Sequence, residues 1–435
     1  MEYNPCVCKI FCVDTVLRYV GGSITMKKII AVILTVLLVF SFTGCKNKEK
    51  PKVKRDAAVF KIGVILTGGV DDPECNAHIT AIREAAKELS LKDNQVIYRF
   101  SVKGNETCYD TAKELASLGC GLIISNSSRH ESYILQAAEE FSDIEFVVFG
   151  GNKAKIADRS NFHNVSTSIY EARYITGVAA GLKLNDMENK GLIGLNNYDS
   201  DGNIMIGYVG TLPSDAATSS YTAFYRGVKS VCENVSMCVQ FTNKRFDRQA
   251  EISTATQLID QGCVAIAQHT GSNGVAMSVQ QAINNNKACF CVGFDKDYSD
   301  ICPDGYLIYA QNIWSEYYKE LLPLVLGSES VEQDKLLGFS DGAVAVSKVN
   351  EGCLADVQEE IDLVTDGIIN GEVNVFDTDN FTKNNKRVNT SYVTDTDDDG
   401  VPDKDQAIFD GYFHESYFRS APYFTLEIDG ITVLN

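Results

Sequence analysis

Positive charge is scarce in this chain. Lys and Arg number 39 against 58 Asp and Glu, a formal net charge of −19 over 435 residues. That deficit argues against the clustered basic footprint a nucleic acid requires and against broad adsorption to an anionic membrane, and it favours solubility. Histidine is sparse: His78, His130, His163, His269 and His414 lie far apart and read as ordinary surface or cleft residues. There is no GxxxxGKS/T, no GxSxG and no HExxH, so phosphate-loop, nucleophile-elbow and zinc-protease chemistry have no signal here. No apolar run reaches the about 20 residues of a spanning helix. Hydrophobic residues are nevertheless 45% of the chain and aromatics 10%. This excludes disorder of the whole, and the length exceeds one ordinary core, which predicts two lobes.

The N-terminal region carries the most specific pattern. Met26-Lys27-Lys28 is a basic start, and Ile29 to Phe42 is an uncharged stretch. It is too short to span and suited to a signal-peptide core. Phe42-Thr43-Gly44-Cys45 follows and looks like a bacterial lipobox, which implies cleavage before Cys45 and a lipid on its sulfur. Residues 1–45 are therefore read as signal peptide with lipobox, the first 25 as an extension ahead of the true start. Residues 46–58, with the basic run Lys46 to Arg55, read as a flexible tether against head groups. The expected location is the outer face of a bacterial cytoplasmic membrane, lipid-anchored.

Of 14 cysteines, Cys6, Cys8 and Cys12 precede Met26, Cys45 is the lipobox residue, and ten remain in the mature domain. Cys289 and Cys291 share one face of a strand. Without CxxC pairs or a nearby His they read as core packing in preference to a metal site. Cys232 and Cys238 flank a helix-to-strand turn and are the expected disulfide, in a compartment that permits one.

From Phe60 onward, apolar strands alternate with amphipathic helices. Strands are expected at 60–66, 96–102, 121–124 and 144–149, with helices at 78–89, 107–118 and 131–141. The pattern restarts with strands at 204–209, 237–241, 264–267 and 289–294, and helices at 221–231, 248–260 and 274–284. Near-continuous apolar strands separated by helices predict parallel sheets covered on both faces. The fold class is α/β, with two parallel-sheet lobes and an interlobe cleft at the strands' carboxyl ends. Lobe 1 is assigned 59–168 plus roughly 307–335, and lobe 2 takes 169–306 plus roughly 336–376. Residues 377–435 form an acidic insert and a tail expected to be β-rich.

Strand ends facing that cleft supply the candidate ligand residues. The loop from Thr67 to Asn76 joins strand one to its helix, so backbone N–H groups and the Asn76 amide can meet a ligand; a plain loop capped by Asp72 is the alternative. Ser125 and Asn126 end strand three and Phe149 ends strand four. Tyr170, Tyr221 and Phe224 could sandwich a planar ring or pack in the core. His269 and Thr270 end a strand of the second lobe. Asp295 ends the next, where a carboxylate can accept hydrogen bonds from adjacent hydroxyls or cap a helix. Asn312 follows the strand after that. Asp395, Asp397, Asp399 and Asp403, with Gly400 at the turn, match acidic positions of a calcium loop, although Gln406 stands where a bidentate Glu belongs. The alternative is a solvated acidic turn. No other cofactor is expected.

Several of these segments together resemble one family. They are the strand-one region with Asn76, Asn164-Val165 through Tyr170 to Ala180, Ile206 to Gly210, Phe224 to Gly227, Gly271 to Gly274, and Gly293 to Asp297. The chain from about Phe60 is similar to the basic membrane protein family of ABC-transporter substrate-binding lipoproteins, which includes purine-nucleoside binders. The resemblance implies a periplasmic-binding-protein type I-like fold that closes over a nucleoside, held by residues at Asn76 and Asp295, with ABC permease and ATPase subunits as partners. It also shows departures: Cys75 stands where the family has Phe, Gly150 or Gly151 where it has Asp, and Asn312 near an expected Lys. The reading is a monomeric, non-enzymatic solute-capture lipoprotein for a nucleoside or related sugar-containing compound. A ligand-sensing lipoprotein reporting to a membrane receptor and an exported nucleoside hydrolase are the alternatives.

Overall fold

The computed structural model describes residues 54–379, 381–391 and 405–435. Cys45, the signal segment, and Asp395, Asp397, Asp399 and Asp403 of the expected calcium loop lie outside the described residues.

The first lobe is built from β1 (Lys61–Ile65), α1 (Pro73–Glu88), β2 (Val96–Arg99), α2 (Glu106–Ser117), β3 (Cys120–Ser125), α3 (Glu131–Glu140), β4 (Glu145–Phe149) and β5 (Phe162–Thr167). The second follows as α4 (Ile169–Asn189), β6 (Ile204–Gly210), α5 (Asp215–Val231), β7 (Val235–Phe241), α6 (Arg248–Asp260), β8 (Ala265–His269), α7 (Gly274–Asn284), β9 (Phe290–Phe294) and β10 (Tyr306–Asn312). Then come α8 (Ser315–Gly327), β11 (Asp334–Leu337), β12 (Val344–Val346) and α9 (Gln358–Ile369). Two short hairpins, β13 (Thr382–Lys383) with β14 (Lys386–Arg387) and β15 (Ile408–Phe409) with β16 (Tyr412–Phe413), precede β17 (Ile431–Val433).

One sheet has the order β11-β5-β4-β3-β1-β2, the other β12-β10-β9-β8-β6-β7-β17. All pairings in these sheets are parallel except β10 with β12. Ile62, Val64, Leu122, Ile124 and Val147 pack on one face of the first sheet and Ile65, Ile123, Phe146 and Val148 on the other. Burial on both faces is why these strands read as unbroken apolar runs.

Helix starts follow caps more than apolar periodicity. The Asp72 carboxylate accepts from the Glu74 and Cys75 amides at 3.0 and 3.2 Å, and Pro73 fits the first turn. So α1 begins ahead of the expected His78. Ser214 caps α5 through the Ala217 amide, ahead of the expected Tyr221. Helices α4 and α5 meet backbone to backbone: a Cβ on Gly177 would lie 2.1 Å from the Phe224 carbonyl oxygen, and one on Gly227 2.0 Å from that of Tyr174. Glycine is required at both by this close approach.

The chain crosses between lobes at Ser168, at Ile313, and again through 338–343, where the Ile313 amide donates to Ala343 O and the Ser168 amide to Leu337 O, both at 2.8 Å. The strand expected to return to the first lobe, Leu307 to Gln311, instead stays in the second sheet as β10 between β9 and β12. The return comes one element later, with α8, whose Tyr317, Tyr318, Leu321 and Leu322 pack on the first lobe's core.

The expected Cys232–Cys238 disulfide is absent, and both thiols are free, as are the other eight among the described residues. Alternation along β7 explains it. Cys232 packs with Val235 and Met237 on one face of the sheet, and Cys238 belongs to the cluster on the other. Cys289 and Cys291 pack in that second cluster too. The tail is less β-rich than its aromatic content suggests. Left-handed residues at Asp410, Gly411, Ser416 and Gly430 interrupt it, while Phe413, Tyr423 and Phe424 bury against Phe376 and Phe381 on the second lobe.

Candidate functional site

The carboxyl ends of β1, β3, β4 and β5 face those of β6, β8 and β9 across a cleft with two joined compartments. One, of about 390 Å³, is lined by Asn126, Phe149, Ser166, Thr167, Thr211 and Pro422 among others. The second, of about 200 Å³, is lined by Asp72, Phe246, His269, Thr270, Phe294 and Asp295. Glu74, Thr211, Arg245, Asn312 and Trp314 line both, which makes them the partition between the two. A neighbouring hollow of about 480 Å³ is bordered by Asn76, Asp295, Asn312 and Trp314.

The aromatic wall of the larger compartment is Trp314 with Phe149, ring centroids 4.7 Å apart and edge to face. His78 stacks on Trp314 at 5.0 Å and shares a 2.8 Å hydrogen bond between its Nδ1 and the Tyr318 hydroxyl. Burial pushes the His78 pKa down to about 3, so the imidazole is a neutral support. Asn126, almost fully buried, accepts from the Thr67 amide at 3.1 Å and donates to Cys75 Sγ at 3.4 Å. Cys75 is itself fully buried, and so fills space behind the wall. At the end of β4, Gly150 has φ +70° and lines the cleft.

Asp295 terminates β9 in the left-handed region, φ +55°, a conformation that Asp tolerates better than most residues. Its amide donates to Ala310 O at 2.8 Å, and its Oδ1 accepts from the Asn312 amide at 3.0 Å. The Asn312 side chain accepts from Thr167 Oγ1 at 2.6 Å. One chain of hydrogen bonds thus ties the carboxylate to β5 of the other lobe. Burial raises the Asp295 pKa to about 7; the Asn312 amide opposes this and the Glu74 charge reinforces it. Beneath the ends of β8 and β9, the fully buried Arg173 guanidinium donates to Gln268 O at 3.0 Å and lies 4.1 Å from the Phe294 ring. His269 bonds the Tyr208 hydroxyl through Nδ1 at 3.2 Å. Burial, with Arg173 nearby, holds His269 well below the usual imidazole range.

The structure does not bring every expected residue to the cleft. Tyr170 packs against Phe376 with the rings tilted, Tyr221 packs near Tyr208, and Phe224 is fully buried in the same core. The helical positions of Tyr221 and Phe224 point at Tyr208 on their own sheet. Ser125 is fully buried, hydrogen-bonded to His130 Nδ1 at 2.7 Å. Thr270 borders the smaller compartment, but its hydroxyl donates to the buried Glu251 at 3.0 Å. Asn76 is exposed on the outer hollow, its Oδ1 accepting from Thr80.

The expected set omitted Trp314, Arg245 and Thr211, and held Glu74 only as part of the loop from Thr67 to Asn76. Trp314 is the chain's single tryptophan, placed two residues after the β10 strand end, and that position was its available signal. Arg245 donates to Glu74 Oε2 at 2.7 Å and lies 3.6 Å from Asp72. Only the fold reveals that pairing.

A family model, ABC transporter substrate-binding protein PnrA-like (Bmp), matches residues 59–379. A purine-binding protein of Brucella abortus is 28% identical over 317 residues, covering 73% of this chain and 83% of that protein. Basic membrane protein A of Borreliella afzelii is 22% identical over 335 residues, covering 76% and 95%. An ABC-transporter solute-binding protein of Aeropyrum pernix superposes with TM-score 0.60 at 14% identity, covering 75% of this chain and 94% of the other. With these matches, two parallel lobes and a cleft at their strand ends, the fold is periplasmic-binding-protein type I-like, and the chain belongs to the PnrA-like (Bmp) family of ABC transporter substrate-binding proteins.

Proposed function

We propose that this substrate-binding protein captures a purine nucleoside or closely related ribosyl compound and hands it to an ABC permease, without chemistry of its own. The observation that carries the reading is the partitioned cleft. An aromatic wall of Trp314 and Phe149 lies in one compartment, an anchored carboxylate, Asp295, in the next, and Asn312 and Trp314 belong to both. A planar base suits the aromatic wall, and vicinal hydroxyls suit the carboxylate. The purine-binding name of the Brucella abortus relative supports this choice. Cys45 is proposed as the lipid attachment that keeps the protein at the outer face of the membrane, beside the permease that its ATPase partner drives from the other side. Calcium in the loop from Asp395 to Asp403 is a separate proposal for calorimetry, where heat at millimolar calcium would support it.

The deciding experiment is a thermal-shift screen of nucleosides, free bases and sugars. A ligand at a hundred times its dissociation constant stabilises the fold by about 2.7 kcal/mol. Nucleosides should shift the melting temperature while free bases and sugars shift it little, and the bound nucleoside should be recovered intact. Stabilisation by sugars alone would overturn the nucleoside reading; steady turnover would make the protein a hydrolase.

A further inference from the structure

We propose that the C-terminal segment from 415 to 422 is a strap that binds the two lobes together and completes the ligand site from outside the region shared with the family. The family match ends at residue 379, and the strap lies beyond it.

Its anchorage is in the second lobe. β17 pairs in parallel with β7, Ile431 against Met237. The Asn435 side chain accepts from the Phe241 amide at 2.8 Å and donates to its carbonyl at 2.9 Å. Tyr423 and Phe424 are buried in that lobe's core. Glu415 accepts from the Tyr423 amide at 2.9 Å, closing the segment into a knuckle.

From this base the knuckle reaches the first lobe. The Ser420 amide donates to Asp334 Oδ2 on β11 at 2.9 Å, and the Ser420 hydroxyl lies 3.4 Å from that of Ser166 on β5. Lys155 donates to Phe418 O at 2.9 Å and pairs with the same Asp334 at 3.3 Å. Arg419, nearly fully buried, lies 3.9 Å from Asp215 at the start of α5. It also donates to Asn152 of the first lobe at 3.2 Å, once the Asn152 amide is oriented to donate to Glu131. Pro422 then enters the wall of the larger compartment beside Ser166 and Thr167.

The consequence is mechanical. Lobe separation must either undock residues 418–420 from Asp334, Lys155 and Ser166 or drag the strap away from Asp215. The strap therefore adds to the cost of opening, and it limits the size of what the larger compartment admits.

Hydrogen exchange on the ligand-free full chain tests this without knowing the ligand. In Asp334→Ala, amides of 417–421 and of the cleft loops 126–130 and 211–214 should exchange at least about tenfold faster than in the wild type, with β1, β3, β6 and β8 unchanged. Arg419→Met, which keeps an apolar stem in the buried slot, should give the same pattern and carries the test if Asp334→Ala fails to fold. Faster exchange confined to 417–421 would show a decoration without hold on the lobes and overturn the proposal. Wild-type exchange throughout would do the same.

Discussion

The Arg245 guanidinium on the second lobe donates to the Glu74 carboxylate on the first at 2.7 Å, with Asp72 3.6 Å away. Both ends of this pair line the cleft, so lobe opening must break it. Partial burial in the cleft raises the Glu74 pKa while Arg245 opposes the rise. Side-chain exposures of 31% and 43% leave the pair screened by solvent, and its worth is about 1 kcal/mol or less. Arg245→Ala and Glu74→Ala should each weaken nucleoside binding by about fivefold. The double variant should be no worse than either single one if the pair acts as a latch. Additive losses in titration calorimetry would assign Arg245 to direct ligand contact.

Trp314 offers a built-in reporter. It is the chain's one tryptophan, it is 9% exposed, and it lines both compartments. A base stacked in the cleft must change its emission. Trp314→Ala should weaken binding by about 2 kcal/mol, roughly thirtyfold. Wild-type emission that ignores a ligand seen by thermal shift would move the binding site away from this wall.

These residues also show where the sequence is readable. Strands β1, β3, β4, β8 and β9 are apolar runs, and of the polar or aromatic residues at strand ends Asn126, Phe149, His269 and Asp295 reach the cleft, whereas Ser125 turns to His130. Strand β5 is opaque because His163, Asn164, Ser166 and Thr167 are polar yet buried, satisfied by partners such as Glu332 O, the Ala154 amide and Asn312. Tyr221 and Phe224 mislead because the helix starts at Asp215 under the Ser214 cap, which moves both aromatics from the expected helix start to mid-helix positions facing the core. Arg245 is silent because a loop arginine gains meaning only when closure sets Glu74 against it.

Glu415 predicts a pH effect on stability. Burial raises its pKa from 4.5 to about 8, and nearby Asp215 adds to the rise. The native state therefore holds a proton that the unfolded chain has released between about pH 4.5 and 8. Its contribution to stability falls as pH rises through that window. Glu415→Gln keeps an acceptor for the Tyr423 amide and removes the titration. The variant's stability relative to wild type should climb from pH 5 to 8 in urea titrations. A constant difference across the window would mean that Glu415 is not protonated in the native state.

Cys45 is tested by fractionation. Cys45→Ser should release the protein from membranes or leave a larger uncleaved precursor. Retention and processing like those of wild type would remove the lipidation proposal, with the cleft chemistry untouched.

The most direct test of the ligand site is Asp295. Its carboxylate is held by the Asn312 amide and, through the Asn312 side chain, by Thr167. This fixes one carboxylate oxygen before a ligand arrives, so binding spends less energy on its rotamer. Its pKa, raised to about 7 chiefly by burial, makes the charged form available only toward neutral and higher pH. A pair of hydroxyls donating to one carboxylate requires that charged form. Affinity should therefore fall by roughly tenfold per pH unit below about 7. His78, at about 3, and His269, well below the usual range, stay neutral there and add no slope. The Glu74 pKa is raised as well, with Arg245 opposing the rise, so Glu74→Gln is the needed control and should retain the slope. Asp295→Asn should flatten the profile and cost about 3 kcal/mol at pH 8, roughly a hundredfold in dissociation constant. A 2′-deoxynucleoside should bind the wild type poorly and lose little more in the variant. Equal binding of the ribonucleoside by Asp295→Asn and wild type at pH 8 would sink the diol role and leave Asp295 as a strand-end residue that only orders the turn to Asn312.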